Sequence, residues 1–299
     1  MAKKKKVSRF RRFCRRVDRT ISFLLITAIV LATPCAFAFW FVPISGDRVK
    51  FIAHRGLSSA FYENTVQAFA AAGQSNFFYA IETDVRVTSD GYFVLAHCDD
   101  QFQDQTKLVS EITLEEARLL PLRNPDYRLA TFEEFLDICV QYNKVAVIEI
   151  KPTLDKETLE RLVEIVIEQE WFFKSRFISF DKQNLVYIRE MYPDANLQFL
   201  TANTSDIDFN FNLGVQFGSL GFRNIREAQR KNLEVNVWTV NYRGIARWFI
   251  WLGVDYVTTD YELDSRMARP EFPKIQLFTK EQFLDFWADV SKWLSSLAR

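Results

Sequence analysis

Eight short apolar runs constrain the fold of this chain more than any other feature of its sequence. Each run ends in polar residues, and amphipathic segments of helical period lie between most of them. Strands that alternate with helices form parallel sheets, and eight such strands favour a closed barrel over an open sheet. We therefore predict an α/β protein with a (β/α)8 TIM barrel. The predicted strands are 49–53, 80–85, 145–150, 176–180, 197–200, 215–220, 235–240 and 254–258, and the predicted helices are 64–73, 131–142, 155–169, 182–191 and 242–252.

The only two histidines of the chain, His54 and His97, each follow a short apolar run. Between them, Glu82 and Asp84 lie two residues apart on a predicted strand, so their side chains point to the same face. Glu149 lies near the end of the third predicted barrel strand, and barrel enzymes place their chemistry at such carboxyl ends. Two proton carriers and three carboxylates at one end of a barrel suit metal-assisted cleavage of a phosphate ester.

A hairpin is predicted to bring the second histidine to the carboxylates. The apolar run 92–96 follows the second barrel strand with no room for a helix between them. Asp90-Gly91 is a strong signal for a two-residue hairpin loop. A loop of those two residues pairs His97 with Asp84.

The three carboxylates could hold one divalent cation. Glu82, Asp84 and Glu149 would supply hard oxygen ligands, which suit Ca2+ or Mg2+. The alternative is that carboxylates at strand ends are solvated or form ion pairs with basic residues.

Two basic residues next to these positions could bind phosphate. Arg55 can donate two parallel hydrogen bonds to phosphate oxygens, and Lys151 can add a point charge. Both could instead neutralise the carboxylates or Glu63. Glu63 is interpreted as a supporting residue behind the site, and Asn64 as a supporting residue and the N-cap of the next helix.

Seven short motifs in order, from about Phe51 to Asp260, resemble the glycerophosphodiester phosphodiesterase family, within the phosphatidylinositol-phospholipase-C-like barrel phosphodiesterases. They are His54-Arg55-Gly56, Glu63-Asn64-Thr65, Glu82-x-Asp84-Val85, Asp90-Gly91 before a strand ending in His97, Glu149-x-Lys151-Pro152, Trp238-Thr239-Val240-Asn241, and Gly253-Val254-Asp255 with Thr259-Asp260.

The resemblance implies a (β/α)8 barrel that hydrolyses glycerophosphodiesters to sn-glycerol 3-phosphate and an alcohol. It implies acid and base roles for His54 and His97, in two steps through a cyclic phosphate. It also implies one divalent cation on Glu82, Asp84 and Glu149, phosphate contacts from Arg55 and Lys151, and an aromatic contact from Trp238 to the glycerol side of the substrate.

One departure from the family pattern concerns the residue after the second histidine. The family usually has His-Asp where this chain has His97-Cys98, and Asp99 comes one place later. Two alternative functions remain open: a lysophospholipase D acting on membrane lysolipids, and a tethered barrel that binds a ligand without catalysis. The alcohol, the choice of cation and the oligomeric state do not follow from the sequence.

The amino-terminal region predicts a membrane anchor. Residues 1–19 hold ten Lys/Arg and one acid, and residues 20–42 hold no charge. That uncharged run is long enough to span a bilayer, and the positive-inside rule places the basic tail in the cytoplasm. The catalytic domain would then lie outside the cytoplasm, on a single-pass protein of the cell membrane. The alternative is a signal peptide cleaved after Ala38.

The remaining segments complete the predicted organisation. A linker at 43–48 leads to the phosphodiesterase barrel at 49–268, and a helical extension follows at 269–299. The extension is amphipathic, so it could pack on the barrel or lie on a membrane surface. Residues 43–299 carry 28 basic and 37 acidic residues, which argues against general nucleic-acid binding.

Overall fold

The computed structural model describes residues 49–263, which form a closed parallel barrel. The strands are β1 (Lys50–Ala53), β2 (Ala80–Val87), β3 (Phe93–Leu95), β4 (Ala130–Thr131), β5 (Val145–Ile150), β6 (Ser175–Ser179), β7 (Leu197–Thr201), β8 (Asn212–Gln216), β9 (Val235–Trp238) and β10 (Tyr256–Thr259). Eight of them pair in parallel in the order β1-β10-β9-β8-β7-β6-β5-β2, and β1 also pairs with β2. This second pairing closes the barrel, so the predicted architecture is confirmed for this part of the chain.

Seven α-helices lie within the described residues, and the first five of them begin at a residue whose side chain accepts a capping hydrogen bond. They are α1 (Val66–Gln74), α2 (Leu114–Leu119), α3 (Phe132–Gln141), α4 (Lys156–Glu168), α5 (Lys182–Met191), α6 (Phe222–Arg230) and α7 (Arg243–Leu252). Thr131 and Glu134 form a capping box at the start of α3, and Asp155 accepts a hydrogen bond from Thr158 N at the start of α4. The buried residues of α4 are Leu159, Leu162, Val163 and Val166, the spacing of one helical face.

The hairpin after β2 has a longer loop than predicted. Val85 pairs with Leu95, and Val87 pairs with Phe93. This register gives a three-residue loop that ends at Gly91, whose φ of 86° lies in the left-handed region that glycine adopts without strain.

The longer loop shifts the predicted pairing of His97 by one residue. Ala96 N donates a hydrogen bond to Asp84 O at 3.0 Å, so Ala96 takes the place expected for His97. The predicted pairing is therefore wrong. Residues 96–129 fold over the hairpin around a small core of their own, centred on Phe102 and Leu122.

The sixth barrel strand lies earlier than predicted. β8 spans Asn212–Gln216, whereas the apolar run suggested 215–220. The backbone turns immediately after the strand, because Ser219 N donates to Gln216 O. Leu220 is buried in the connection and not in the sheet, which explains the misplaced prediction. In the described residues, β7 and β8 are joined by a short 3-10 turn, Thr204–Asp206, and not by an α-helix.

The core has two main layers. The larger one contains many phenylalanine residues, and the smaller one consists mainly of branched aliphatic residues. The larger layer lies between the sheet and the helices and contains fully buried rings such as Phe69, Phe135 and Phe177. The smaller layer fills the barrel interior and consists of Ile52, Ala80, Val147, Ile178, Leu200 and Tyr256. The barrel is therefore filled with side chains, and only its end can take a ligand.

The predicted anchor at 20–42 and the helical extension at 269–299 lie outside the described residues. Within residues 49–263, none of the helices is both long and apolar enough to cross a bilayer.

Candidate active site

The turn after β1 brings two predicted site residues to the carboxyl end of the barrel. His54 and Arg55 follow Ala53 directly, and the turn continues with positive φ at Arg55 (57°) and Gly56 (78°). A Cβ on Gly56 would lie 2.6 Å from the backbone carbon of Ala68, so the chain at this point passes too close to α1 for a side chain. The turn is thereby fixed against α1.

Glu82, Asp84 and Glu149 form one buried cluster. Glu82 and Asp84 share a face of β2, and Glu149 on β5 pairs directly with Asp84. One ligand atom from each residue lies within 4.8 Å of the others. The three carboxylates are between 0 and 7 % exposed. The spacing along the chain therefore predicts their meeting correctly.

Mutual repulsion and burial shift the pKa values of these carboxylates apart. Burial, followed by the charges of Asp84 and Glu149, raises the pKa of Glu82 well above its usual value. Burial and the charge of Asp84 raise the pKa of Glu149 to about 7. Burial opposes ionisation of Asp84 as well, but Arg55 and Lys151 hold its pKa below the usual value.

The cluster has the properties of a divalent-cation site. Each carboxylate has one buried oxygen without a hydrogen-bond partner among the described residues: Glu82 Oε1, Asp84 Oδ1 and Glu149 Oε1. Buried polar atoms are normally hydrogen-bonded, so three such oxygens in one cluster fit a cation site. Three hard, anionic oxygen donors suit Ca2+ or Mg2+.

Arg55 and Lys151 supply positive charge at the edge of the cluster. Lys151 Nζ lies 2.8 Å from Glu149 Oε1 and 3.4 Å from Asp84 Oδ1, which are ion-pair distances without hydrogen-bond alignment. Arg55 Nε lies 3.1 Å from Asp84 Oδ2. Arg55 Nη1 also donates to Glu63 Oε2 at 2.8 Å. Both basic groups therefore contact carboxylates, and Glu63 orients the guanidinium from the outer side.

Asn64 orients Asp84 and is not the cap of α1. The side chain of Thr65 caps the helix, so the predicted N-cap is wrong by one residue. Asn64 is 1 % exposed, with φ at 54°, and its Nδ2 donates to Asp84 Oδ2 at 2.8 Å. Its Oδ1 accepts from Thr83 Oγ1 and from Asp84 N. The left-handed backbone turns Asn64 inward, towards the strand that carries the carboxylates.

Asp260, which was not among the predicted site residues, holds His54 in place. Its Oδ1 lies 2.7 Å from His54 Nδ1. Asn241 Nδ2 donates to Asp260 Oδ2, and Asn241 Oδ1 accepts a hydrogen bond from Asp260 N. Ser58 Oγ donates to Asp260 Oδ1. These contacts lower the pKa of Asp260 although burial opposes this. The sequence does offer one signal for Asp260, because it is a polar residue directly after the last strand, β10.

His97 follows β3 and reaches the same site. Arg86 donates to the backbone oxygens of Ala96 and His97, which fixes the end of the hairpin. His97 Nδ1 lies 3.4 Å from Cys98 Sγ. Burial and the positive charge of Arg55 lower the pKa of His97 to about 4, so the ring is neutral at neutral pH.

Asp99, the first acidic residue after His97, contacts the loop around Ser110. Its carboxylate accepts hydrogen bonds from the backbone and the hydroxyl of Ser110, and Arg86 Nη1 lies 3.9 Å away. Asp99 therefore stabilises a loop within residues 96–129, and Cys98 is the residue that contacts the ring of His97.

A pocket at this end of the barrel combines a charged half with an apolar half. The charged residues come from the segments around β1, β2, β3 and β5, and the apolar ones from β6, β7 and β9, the opposite part of the sheet. The lining includes His54, Arg55, Glu82, His97, Glu149 and Lys151 on the charged side, and Ile178, Phe180, Leu200 and Trp238 on the apolar side. The rings of Phe180 and Trp238 meet edge to face at 5.5 Å.

Comparison with known proteins agrees with this geometry. The model of the glycerophosphoryl diester phosphodiesterase family matches residues 54–262. A glycerophosphodiester phosphodiesterase of Caldanaerobacter subterraneus is 28 % identical over 230 residues, which cover 70 % of this chain and 93 % of that protein. Glycerophosphodiester phosphodiesterase 1 of Mus musculus is 35 % identical over 119 residues, or 36 % of each chain.

Solved structures share the fold at lower identity. A phosphodiesterase of Oleispira antarctica, solved in complex with sn-glycerol 3-phosphate, has a TM-score of 0.66 and 23 % identity, covering 77 % of this chain and 98 % of its own.

Proposed function

Because this chain belongs to the glycerophosphoryl diester phosphodiesterase family, we propose that it hydrolyses glycerophosphodiesters to sn-glycerol 3-phosphate and an alcohol. The observation that carries the proposal is the meeting of three buried carboxylates and both histidines at one pocket. The product bound to the Oleispira antarctica enzyme is consistent with this substrate class.

A divalent cation is part of the proposal. Glu82, Asp84 and Glu149 would hold it, and when bound it would neutralise charge on the phosphate oxygens. The chain's own basic groups add to this effect. Arg55 and Lys151 line the same pocket and can interact with negative charge that develops on the phosphate.

The environments of the two histidines suggest different first roles. His97 is neutral, so its ring can accept the proton of the glycerol 2-hydroxyl while that oxygen attacks phosphorus. The Asp260 carboxylate contacts His54 Nδ1 and holds the ring at the pocket. We assign to His54 the complementary role, protonation of the departing alcohol. Water then opens the cyclic phosphate, with His54 as base and His97 as acid.

A substrate panel tests the reaction. With the full chain and added Ca2+ or Mg2+, we expect the glycerophosphodiesters of choline, ethanolamine and glycerol to release sn-glycerol 3-phosphate, which a coupled dehydrogenase assay measures. The second candidate, a lysophospholipase D, is favoured by the apolar half of the pocket around Phe180 and Trp238. Release of acylated glycerol phosphate from lysolipids, with no cleavage of the soluble diesters, would identify that activity. No cleavage of either class would support a non-catalytic barrel.

The cellular location is also a proposal. Ten basic residues precede the uncharged run at 20–42, so the basic tail should stay in the cytoplasm and the barrel should lie outside. We expect the intact chain to stay with membranes after a carbonate wash, and protease added outside to remove the barrel. A soluble form that begins at Phe39 would show cleavage after Ala38. Protection of the barrel from external protease would contradict the orientation.

A further inference from the structure

The segment 217–252 differs in charge from the rest of the barrel. It carries six basic residues and two acidic ones, while the other described residues carry 15 basic and 29 acidic ones. The segment contains α6 and α7, which are neighbours, because Gln229 Nε2 donates to Gly253 O at the end of α7. We call the outer surface of these two helices, together with the loops that precede them, the α6/α7 face.

Basic side chains follow the outer side of both helices. On α6, Arg223, Arg226 and Arg230 recur at spacings of three and four, which places them along one side of the helix. On α7, Arg243 and Arg247 are four residues apart and therefore lie on one side of the helix. This helix contains no acidic residue. Arg223, Arg230 and Arg243 are exposed, and Arg226 and Arg247 are partly buried. Most charged side chains of the α6/α7 face are therefore basic, although the rest of the domain is acidic. The acidic residue of α6 is Glu227, which lies 3.3 Å from Arg230.

Aromatic side chains lie among these basic residues. Phe222 is 40 % exposed, Tyr242 70 % and Trp248 46 %. The ring of Trp248 stacks on Trp251, with the centroids 5.3 Å apart, and the guanidinium of Arg226 lies over the ring of Phe222. Exposed Trp, Tyr and Phe rings interspersed with arginine are typical of surfaces that insert shallowly at the headgroup level of a bilayer.

The face reaches the mouth of the active site. Phe217, which is 40 % exposed, follows β8, and Tyr242 follows β9 after Trp238 of the pocket lining. Contact along α6 and α7 would place one edge of the mouth at the bilayer surface.

We propose that the α6/α7 face docks on a bilayer that contains anionic phospholipids. Guanidinium groups bind lipid phosphates through paired hydrogen bonds, and each basic side chain at an anionic membrane surface contributes about fivefold in affinity. A nucleic acid could also bind arginines and aromatic rings. The exposed rings of Phe222, Tyr242 and Trp248 favour the bilayer, because their apolar bodies can enter its headgroup region.

The test uses the full chain reconstituted in nanodiscs of phosphatidylcholine, with or without phosphatidylglycerol. Amide hydrogen exchange is followed in the peptides 222–230 and 243–252. We expect phosphatidylglycerol to slow exchange in both peptides at low salt, and high salt to remove the effect. The double variant Arg223→Glu/Arg230→Glu should lower the ratio of docked to undocked protein by at least about tenfold, from two basic side chains lost.

A matched variant separates a local effect from net charge. Lys107→Glu/Lys174→Glu changes the charge of the chain by the same amount at two other exposed positions, and it should keep the protection. Both variants should retain the hydrolysis of soluble diesters, because none of these residues lines the pocket.

Three results would overturn the proposal. The first is equal protection of both peptides with and without phosphatidylglycerol, which would mean that another part of the chain covers the face. The second is equal loss of protection in the two double variants. The third is protection by a short RNA without any effect of phosphatidylglycerol, which would identify a nucleic-acid surface.

Discussion

Replacing either histidine with alanine should lower kcat for glycerophosphodiester hydrolysis by at least about 10²-fold, the scale of one positioned acid or base. The chain has two histidines, and both line the pocket. His54→Ala removes the ring held by Asp260, and His97→Ala removes the neutral ring beside Cys98. Steady-state kinetics on glycerophosphocholine, with circular dichroism to verify folding, measures the effect. Near-native turnover in either variant would refute a two-histidine mechanism.

The leaving group separates the two roles. In a p-nitrophenyl ester of glycerol phosphate, the leaving group is p-nitrophenolate, which departs without protonation. The first cleavage step of this substrate therefore does not need an acid. The release of p-nitrophenol should recover in His54→Ala and stay low in His97→Ala. Recovery in His97→Ala alone would mean that the roles proposed for the first step are reversed. A useful control is Phe61→Ala, which changes an exposed side chain of the same loop as His54.

Removing the cation should abolish hydrolysis, and adding Ca2+ or Mg2+ should restore it. The expectation rests on three buried carboxylates whose oxygens meet in one cluster. Glu82→Gln and Asp84→Asn should each weaken cation binding, which isothermal titration calorimetry measures without reference to activity. Unchanged rates in excess chelator would contradict the oxygen-ligand site.

Substitution of the cluster carboxylates should also change how the melting temperature, Tm, responds to the cation. In the metal-free protein, burial and neighbouring charges already oppose ionisation of Glu82, as its raised pKa indicates. Glu82→Gln should therefore leave the metal-free Tm unchanged or raise it, while the increase in Tm on adding the cation disappears. Asp99→Asn is the matched control, because Asp99 contacts Ser110 and not the cluster, and it should keep the cation response.

The barrel could be predicted because its signal is local and repeated. Apolar runs and amphipathic helices recur along the chain, and a single misplaced strand, β8, does not change the count. The carboxylate cluster could be predicted for a related reason. Residues two apart on a strand share a face, so Glu82 and Asp84 must point together. Parallel strands also end at the same edge of the barrel, which brings Glu149 to them.

Contacts outside regular elements could not be predicted in this way. The place of His97 depends on a three-residue loop, and nothing in Asp90-Gly91 distinguishes that loop from one of two residues. Asn64 is oriented towards Asp84 by a left-handed backbone rather than by helix capping.

The sequence by itself determined the barrel, the carboxylates that meet at its end and the residue types available for proton transfer, because each follows from periodicity along the chain. The tertiary structure decided which partner each histidine has. Asp260 reaches His54 across 206 positions of sequence, since closure of the barrel pairs β10 with β1. Cys98 contacts His97, whereas the Asp99 carboxylate is hydrogen-bonded to Ser110. Such contacts depend on chain closure and loop geometry, which local sequence patterns do not encode.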